Sequence, residues 1–462
     1  MSADGEDPAV QTPLIADRLA HWSAGFVLAD APLRALHQAK RSLVDAIGVA
    51  LAGSRHPTAA VARAIVEGQY AEGPCTVLGA ASPKTPAGAA LANGTAAHVL
   101  DFDDVSYEGM VHASAAVWPA VVAAAEASDA SGERLLAAFV SGVEGLYALG
   151  RAMTDDLFWR GWWTTGLLGA TGAAMGAAKA MGLDAETTGQ AIRFAACQAT
   201  GPQVLIGTPL KPFACGRAAE TGVLATLFAA SGLSAPADTF ENKHGFIAMF
   251  GAGAFAPSEL DLLGEHYVLG GSGVTFKLFP VCAGAQSATE AVIELIKDEG
   301  LGAHEIEHVT CEVTPEISFY MPFARPTTIA EAQFSLPFAI ACGIVHGGLS
   351  IDCLSEDMLG DRLLAEIMSK VDVVVSPTLA GEEKGRDDYA QPALVRLRAT
   401  GGGEFHRLNP AATGSPGKPM SDARLDEKFR DCAKSLMPRA EAEALLARIR
   451  SVESLSRARD LI

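Results

Sequence analysis

The hydrophobic pattern of this chain changes period near residue 270, and that change limits the folds open to it. Before it, apolar residues recur at helical spacing, as in Leu36, Leu43, Ile47 and Leu51, and again in Leu135, Leu136, Phe139, Val140, Val143 and Tyr147. Gly166–Leu183 repeats Ala and Gly so closely that its backbone is expected to lie tight against a neighbour. After it, His308-Val309-Thr310-Cys311-Glu312-Val313 alternates like a half-buried strand, and Val371–Val375 is a short β-branched run. Leu394–Ala399 and Glu404–Leu408 flank Gly401-Gly402-Gly403, a hairpin signal. Ala285–Leu295 and Pro326–Gly348 read as helices, and Arg424–Arg450 returns to an amphipathic helix that packs back onto the first domain. At 462 residues the chain exceeds what one core of roughly 250–300 residues holds. The expected fold is mainly α with an α+β lid. Residues 1–268 and 412–462 together form a large all-helical domain, residues 269–411 form a smaller α+β domain, and residues 1–15 form a tail.

Composition removes several function classes. The formal net charge of −19 argues against a nucleic-acid partner, which needs a basic face. It also means that a polyanionic substrate needs a local basic pocket. The eight cysteines are scattered without CxxC or Cys/His spacing, so neither zinc nor an iron–sulfur cluster is expected. They read as reduced, mostly buried thiols. The first ten residues are acidic and include Pro8, unlike a secretory signal. No uninterrupted apolar run reaches the roughly 20 residues of a membrane helix, since Lys179 and several glycines break up Thr164–Leu183. A cytoplasmic chain with no membrane partner is expected.

Four segments carry the candidate chemistry. Asn93-Gly94-Thr95-Ala96-Ala97-His98-Val99-Leu100-Asp101-Phe102-Asp103-Asp104 brings three carboxylates and a histidine behind an Ala/Gly-rich helix, with Ser106, Tyr107 and His112 following. Carboxylates beside imidazoles are what proton abstraction and return require. A helix end with a solvated acidic loop has the same appearance. In Gly161-Trp162-Trp163-Thr164-Thr165-Gly166, the indoles either plug a core or give a site a flat apolar face. In Gly207-Thr208-Pro209-Leu210-Lys211-Pro212-Phe213-Ala214-Cys215-Gly216-Arg217-Ala218-Ala219, a loop ending at Gly216 is expected to feed a helix whose first-turn amides join Lys211 in an anion site. Thr275-Phe276-Lys277-Leu278-Phe279-Pro280-Val281-Cys282 opens the α+β domain and carries Lys277 at the junction of the two domains. Tyr320, in Phe319-Tyr320-Met321-Pro322, is either a further cleft candidate or a partly buried aromatic. Glu331–Pro337 reads as structural.

These segments, in this order, resemble the signature elements of the MmgE/PrpD family, and the likeness runs from about residue 15 to Lys428-Phe429. The resemblance implies a helical domain built from both chain ends, an α+β lid and a homodimer. It also implies chemistry next to a carboxylate with no cofactor and no metal. Asp101 and His112 match family positions that line the active site, and Lys211 and Lys277 match lysines that hold substrate carboxylate and stabilise an enolate-like state. Trp163, Tyr320, Ser106 and Asp104 are the implied substrate contacts. The chain departs from the pattern at Trp163 and Ala214, where the family elements carry histidine, and at Ala113, where proline usually follows the catalytic histidine. The expected activity is that of a lyase on a small di- or tricarboxylate. Dehydration of the 2-methylcitrate type is placed ahead of decarboxylation of the cis-aconitate type. Epimerisation of an iminodisuccinate-like dicarboxylate and plain carboxylate binding are the alternatives.

Overall fold

The computed structural model describes residues 13–251, 255–271, 273–380 and 391–462. The expected tail lies outside these through residue 12, and Ile15 already opens a helix. The helical part runs through α1 (Ile15–Gly25), α2 (Leu33–Gly53), α3 (Pro57–Gln69), α4 (Pro86–His98), α5 (Ala113–Ala127), α6 (Gly132–Leu157), α7 (Thr164–Met181), α8 (Ala185–Ala196) and α9 (Leu210–Ala230). Small residues decide how these helices pack. A Cβ on Gly142 of α6 would lie 2.7 Å from the Gly172 carbonyl of α7, and one on Gly216 of α9 would lie 2.4 Å from the Leu91 carbonyl of α4. Both crossings are backbone against backbone, as the Ala/Gly pattern of Gly166–Leu183 predicts. The α9 helix begins at Leu210 rather than after Gly216, so Lys211 stands inside its first turn. Pro212 is compatible with that early position, where its missing N–H costs no helical hydrogen bond.

The lid part holds a four-stranded sheet of β1 (Ile306–Val313), β2 (Val371–Val375), β3 (Ala393–Ala399) and β4 (Glu404–Asn409), in the order β2-β1-β3-β4. β1 pairs parallel with β2, Val309 opposite Val371, and antiparallel with β3. β3 and β4 form the hairpin expected at the triple glycine, where Gly402 takes φ 82°. The sheet is backed by α10 (Gln286–Glu299), α11 (Leu336–His346) and α12 (Arg362–Ser369). Pro326–Gly348 is not one helix. It breaks between a single turn at Ile329–Ala332 and α11, where the Ser335 side chain caps the Phe338 amide and Pro337 takes the first turn.

The chain then returns through α13 (Asp422–Ala433) and α14 (Arg439–Arg450). Two main cores result. One gathers buried residues from Ile15 to Phe276 and again from Met420 to Leu461, and the other gathers Phe279 to Ala399. Phe429 of α13 packs directly on Gly48 of α2. Among the described residues, the stretch Gly132–Met153 of α6 is long and apolar enough by mean hydropathy to cross a membrane, although Glu133, Arg134, Glu144 and Arg151 interrupt it. Apart from the exposed Glu133 and Arg134 at its start, that stretch is buried among the other helices, so its apolarity serves the core.

Candidate active site

The site forms where α4 ends. Because α4 and α9 touch at Gly94 and Gly216, His98, after Gly94 on α4, meets Lys211, before Gly216 on α9, with Lys211 Nζ 2.6 Å from His98 Nε2. The chain then turns at Asp101, whose φ of 46° is left-handed and uncommon outside glycine. That turn places the Asp101 carboxylate between two ammonium groups. Lys211 Nζ donates to Oδ1 at 2.5 Å, and Lys277 Nζ donates to Oδ2 at 2.8 Å and to the Asp101 carbonyl at 2.6 Å. Burial alone would raise this carboxyl, but Lys211 and Lys277 more than offset that and hold it well below the usual carboxylate range. Lys277 is likewise pulled in opposite directions, downward by burial and upward by Asp101 and Asp103, and the net shift is upward, so it stays charged.

Asp103 lies behind this group and joins two imidazoles. Its carboxylate is 2.9 Å from His98 Nδ1 and 3.2 Å from His112 Nδ1. His112 Nδ1 also lies 2.9 Å from the Asp104 carbonyl, which can only accept, so the proton is on Nδ1 and Nε2 carries the lone pair. Burial lowers the pKa of both histidines, that of His98 to about 4, and outweighs the pull of Asp103. His98, Asp103 and His112 also fall within metal-ligating distance of one another. Both rings face Asp103 through Nδ1, so hydrogen bonding to that carboxylate already accounts for the cluster.

The His112 loop is pinned from α7. Thr164 Oγ1 donates to the Met110 carbonyl, and the His112 amide donates to Thr165 Oγ1 at 2.9 Å. From the C-terminal side, Lys428 of α13 donates to the carbonyls of Phe102 at 2.8 Å and Lys277 at 2.9 Å while pairing with Asp45 at 2.7 Å.

Asp101, His112, Lys211, Lys277, Trp163 and Tyr320 line one cavity of about 80 Å3 between the two cores. Ser106 and Asp104 do not line it. Ser106 is fully buried and its backbone pairs with Val111 to close the loop, so its role is in the turn. Asp104 points away from the cavity and accepts from Ser114 Oγ at 2.7 Å. Burial and the neighbouring Asp45 push its carboxyl up to about 7. His98 and Asp103 received no individual role from the sequence, although both stand in the Asn93–Asp104 run. His98 is three residues before Asp101, a spacing that keeps both on the same side of a helix end. Thr165 and Cys282 line the cavity too, inside segments singled out for Trp163 and Lys277. Ala214, in place of a family histidine, is buried in the helical core.

Comparison with known proteins agrees with the segments already described. The MmgE/PrpD N-terminal domain matches residues 17–257, and the MmgE/PrpD C-terminal domain matches residues 279–453. Human cis-aconitate decarboxylase is 26% identical over 439 residues, covering 91% of this chain and 88% of its own. The cis-aconitate decarboxylase of Aspergillus terreus is 25% identical over 465 residues, covering 95% of this chain and 93% of its own. A cis-aconitate decarboxylase-like protein of Aspergillus oryzae is 25% identical over 470 residues, covering 96% of this chain and 95% of its own.

Proposed function

The chain belongs to the MmgE/PrpD family, and from that premise we propose that it is a lyase acting on a small carboxylic acid by acid/base chemistry next to a carboxylate. One observation carries the reading: two ammonium groups converge on Asp101 beside a neutral imidazole, all at one cavity. Lys211 uses two of its three hydrogens on Asp101 and His98, and Lys277 uses two on Asp101. Each keeps one for a substrate carboxylate. As charge moves onto that carboxylate in an enolate-like state, two fixed ammonium groups in a dry site stabilise it without reorganising. His112 Nε2 stands at the same cavity as the base, its Nδ1 proton held by the Asp104 carbonyl.

Two lyase outcomes use these parts. In dehydration, the imidazole takes the proton next to the held carboxylate, and the hydroxyl at the neighbouring carbon leaves as water with a proton. In decarboxylation, the bond to the departing carboxylate breaks, its electron pair enters the acid held by the lysines, and a proton replaces carbon dioxide at carbon. The names of the relatives favour decarboxylation, reversing the order expected from the sequence. The cytoplasmic homodimer implied by the resemblance belongs to this proposal, and equilibrium sedimentation of the purified chain tests its dimer part.

The deciding experiment is proton NMR of the purified protein in deuterium oxide with a panel of di- and tricarboxylic acids. New alkene or product signals support the lyase. Deuterium entering recovered substrate with no product replaces it by an isomerase. Thermal stabilisation by an acid with neither signal replaces it by a binding protein.

A further inference from the structure

The cavity has two unlike halves. The polar half holds the Lys211 and Lys277 ammonium groups against the Asp101 carboxylate, with Asp103 behind it, and each lysine keeps one hydrogen for a ligand. The other half is a wall of Phe158, Trp163, Ile206, Tyr320 and Phe334, none of which carries charge. The rings are held in place. The Trp163 indole stacks on the His98 imidazole with centroids 5.3 Å apart and planes 24° apart, and Phe158 meets Tyr320 edge-on at 4.9 Å. Trp163 is only 4% exposed, and its ring lies 5.2 Å from Lys211 Nζ, so it forms the boundary between the two halves.

Each carboxylate taken into such a site loses its hydration and needs a cation or several donors in return. The remaining hydrogen on Lys211 and the one on Lys277 meet that need for at most two carboxylates. A third carboxylate would face ring surfaces, which repel an anion through their negative quadrupole faces. We propose that the ligand of this cavity is an acid with at most two carboxylates and an apolar arm, and that Trp163 selects that arm. This rests on the reading of the cavity as a carboxylic-acid site and departs from the tricarboxylate in the relatives' names.

Two saturated acids test it, because they differ only at the arm. Tricarballylate is succinate bearing a carboxymethyl group, and 2-isobutylsuccinate replaces that carboxylate by an isopropyl group with the same number of heavy atoms. Titration calorimetry on the full chain is expected to find 2-isobutylsuccinate bound about tenfold more tightly or better. Trp163→His is expected to shrink the ratio about tenfold, and Trp163→Phe to keep it, so the effect follows the ring's apolar character rather than a folding defect. Equal or tighter binding of tricarballylate by the unaltered protein overturns the inference, and so does failure to bind either acid. The NMR panel separates this from the lyase reading. The affinity ratio without any turnover leaves the inference standing and the lyase fallen, whereas turnover of cis-aconitate with an inverted ratio does the reverse.

Discussion

Asp101 is the residue on which the site turns, since its carboxylate keeps Lys211 and Lys277 apart by pairing with both. Asn at this position tolerates the left-handed backbone but brings no charge. Asp101→Asn is therefore expected to leave two buried ammonium groups facing each other, lowering the melting temperature and cutting turnover by about 100-fold or more. Retention of full activity and stability would remove Asp101 from the centre of the site. His112→Gln keeps a side chain able to donate to the Asp104 carbonyl but has no base, so turnover is expected to fall by about 10²–10⁴-fold with an unchanged circular dichroism spectrum. Burial holds His112 below its ordinary 6.5, so the acid limb of kcat/KM is expected to have its midpoint below that value. A midpoint above it would assign the limb to another group. Asp104 predicts a second pH effect. Its folded pKa of about 7 exceeds its unfolded value, so its contribution to stability is complete at low pH and is lost as pH rises toward 7. Asp104→Asn is expected to gain on the unaltered protein between pH 5 and pH 8, by about 2–5 °C in melting temperature. A difference independent of pH would show that Asp104 ionises freely in the fold.

At the scale of elements, the site depends on helices that touch without side chains between them. A methyl group on Gly216 would meet Thr95 Oγ1 at 2.3 Å and the Leu91 carbonyl at 2.4 Å, both on α4. Gly216→Ala is thus expected to push α9 off α4, costing about 1–3 kcal/mol and lengthening the Lys211–His98 contact. Chemical denaturation reads the first effect, and the KM for any substrate found reads the second. The α13 helix supports the site from the other side through Lys428, which is buried and binds two site carbonyls and Asp45. Lys428→Met leaves the Asp45 carboxyl and both carbonyls without that donor, and a loss of about 3–5 kcal/mol is expected. A loss under 1 kcal/mol would mean that α13 only covers the core.

For the whole molecule, the decisive fact is that the two main cores meet at Lys277. Phe276 belongs to one and Phe279 to the other, and the Phe276 amide N–H donates a hydrogen bond to the Gly414 carbonyl of the returning chain at 3.0 Å. Lys277 and Cys282, at this junction, line the cavity of about 80 Å3, so a ligand seated there touches the chain where the two cores meet. Hydrogen exchange should therefore slow on ligand binding at amides around residues 276–282 and 413–414, while the α6–α7 crossing stays unchanged. Uniform protection across the chain would argue against a ligand seated at this junction.

The period change near residue 270, the alternating strand at His308–Val313 and the glycine hairpin were legible in the sequence because each is a local pattern whose cause lies within a few residues. The segments that bring Asp101, His112, Lys211 and Lys277 to one cavity were also legible, since they keep the order and residue types of a known family. What the order of residues did not carry was which polar groups face the cavity. Ser106 and Asp104 share a loop with Asp101 and His112, yet they turn inward, because the left-handed residue at 101 and the Ser106–Val111 pairing reverse the chain between them. Asp103 joins the site through local contacts with His98 and His112, and His98 meets Lys211, 113 residues away, only because α9 packs on α4. Local pattern determined the elements and the chemical types available. The close crossings of small-residue helices, which are tertiary contacts, decided which of those groups meet.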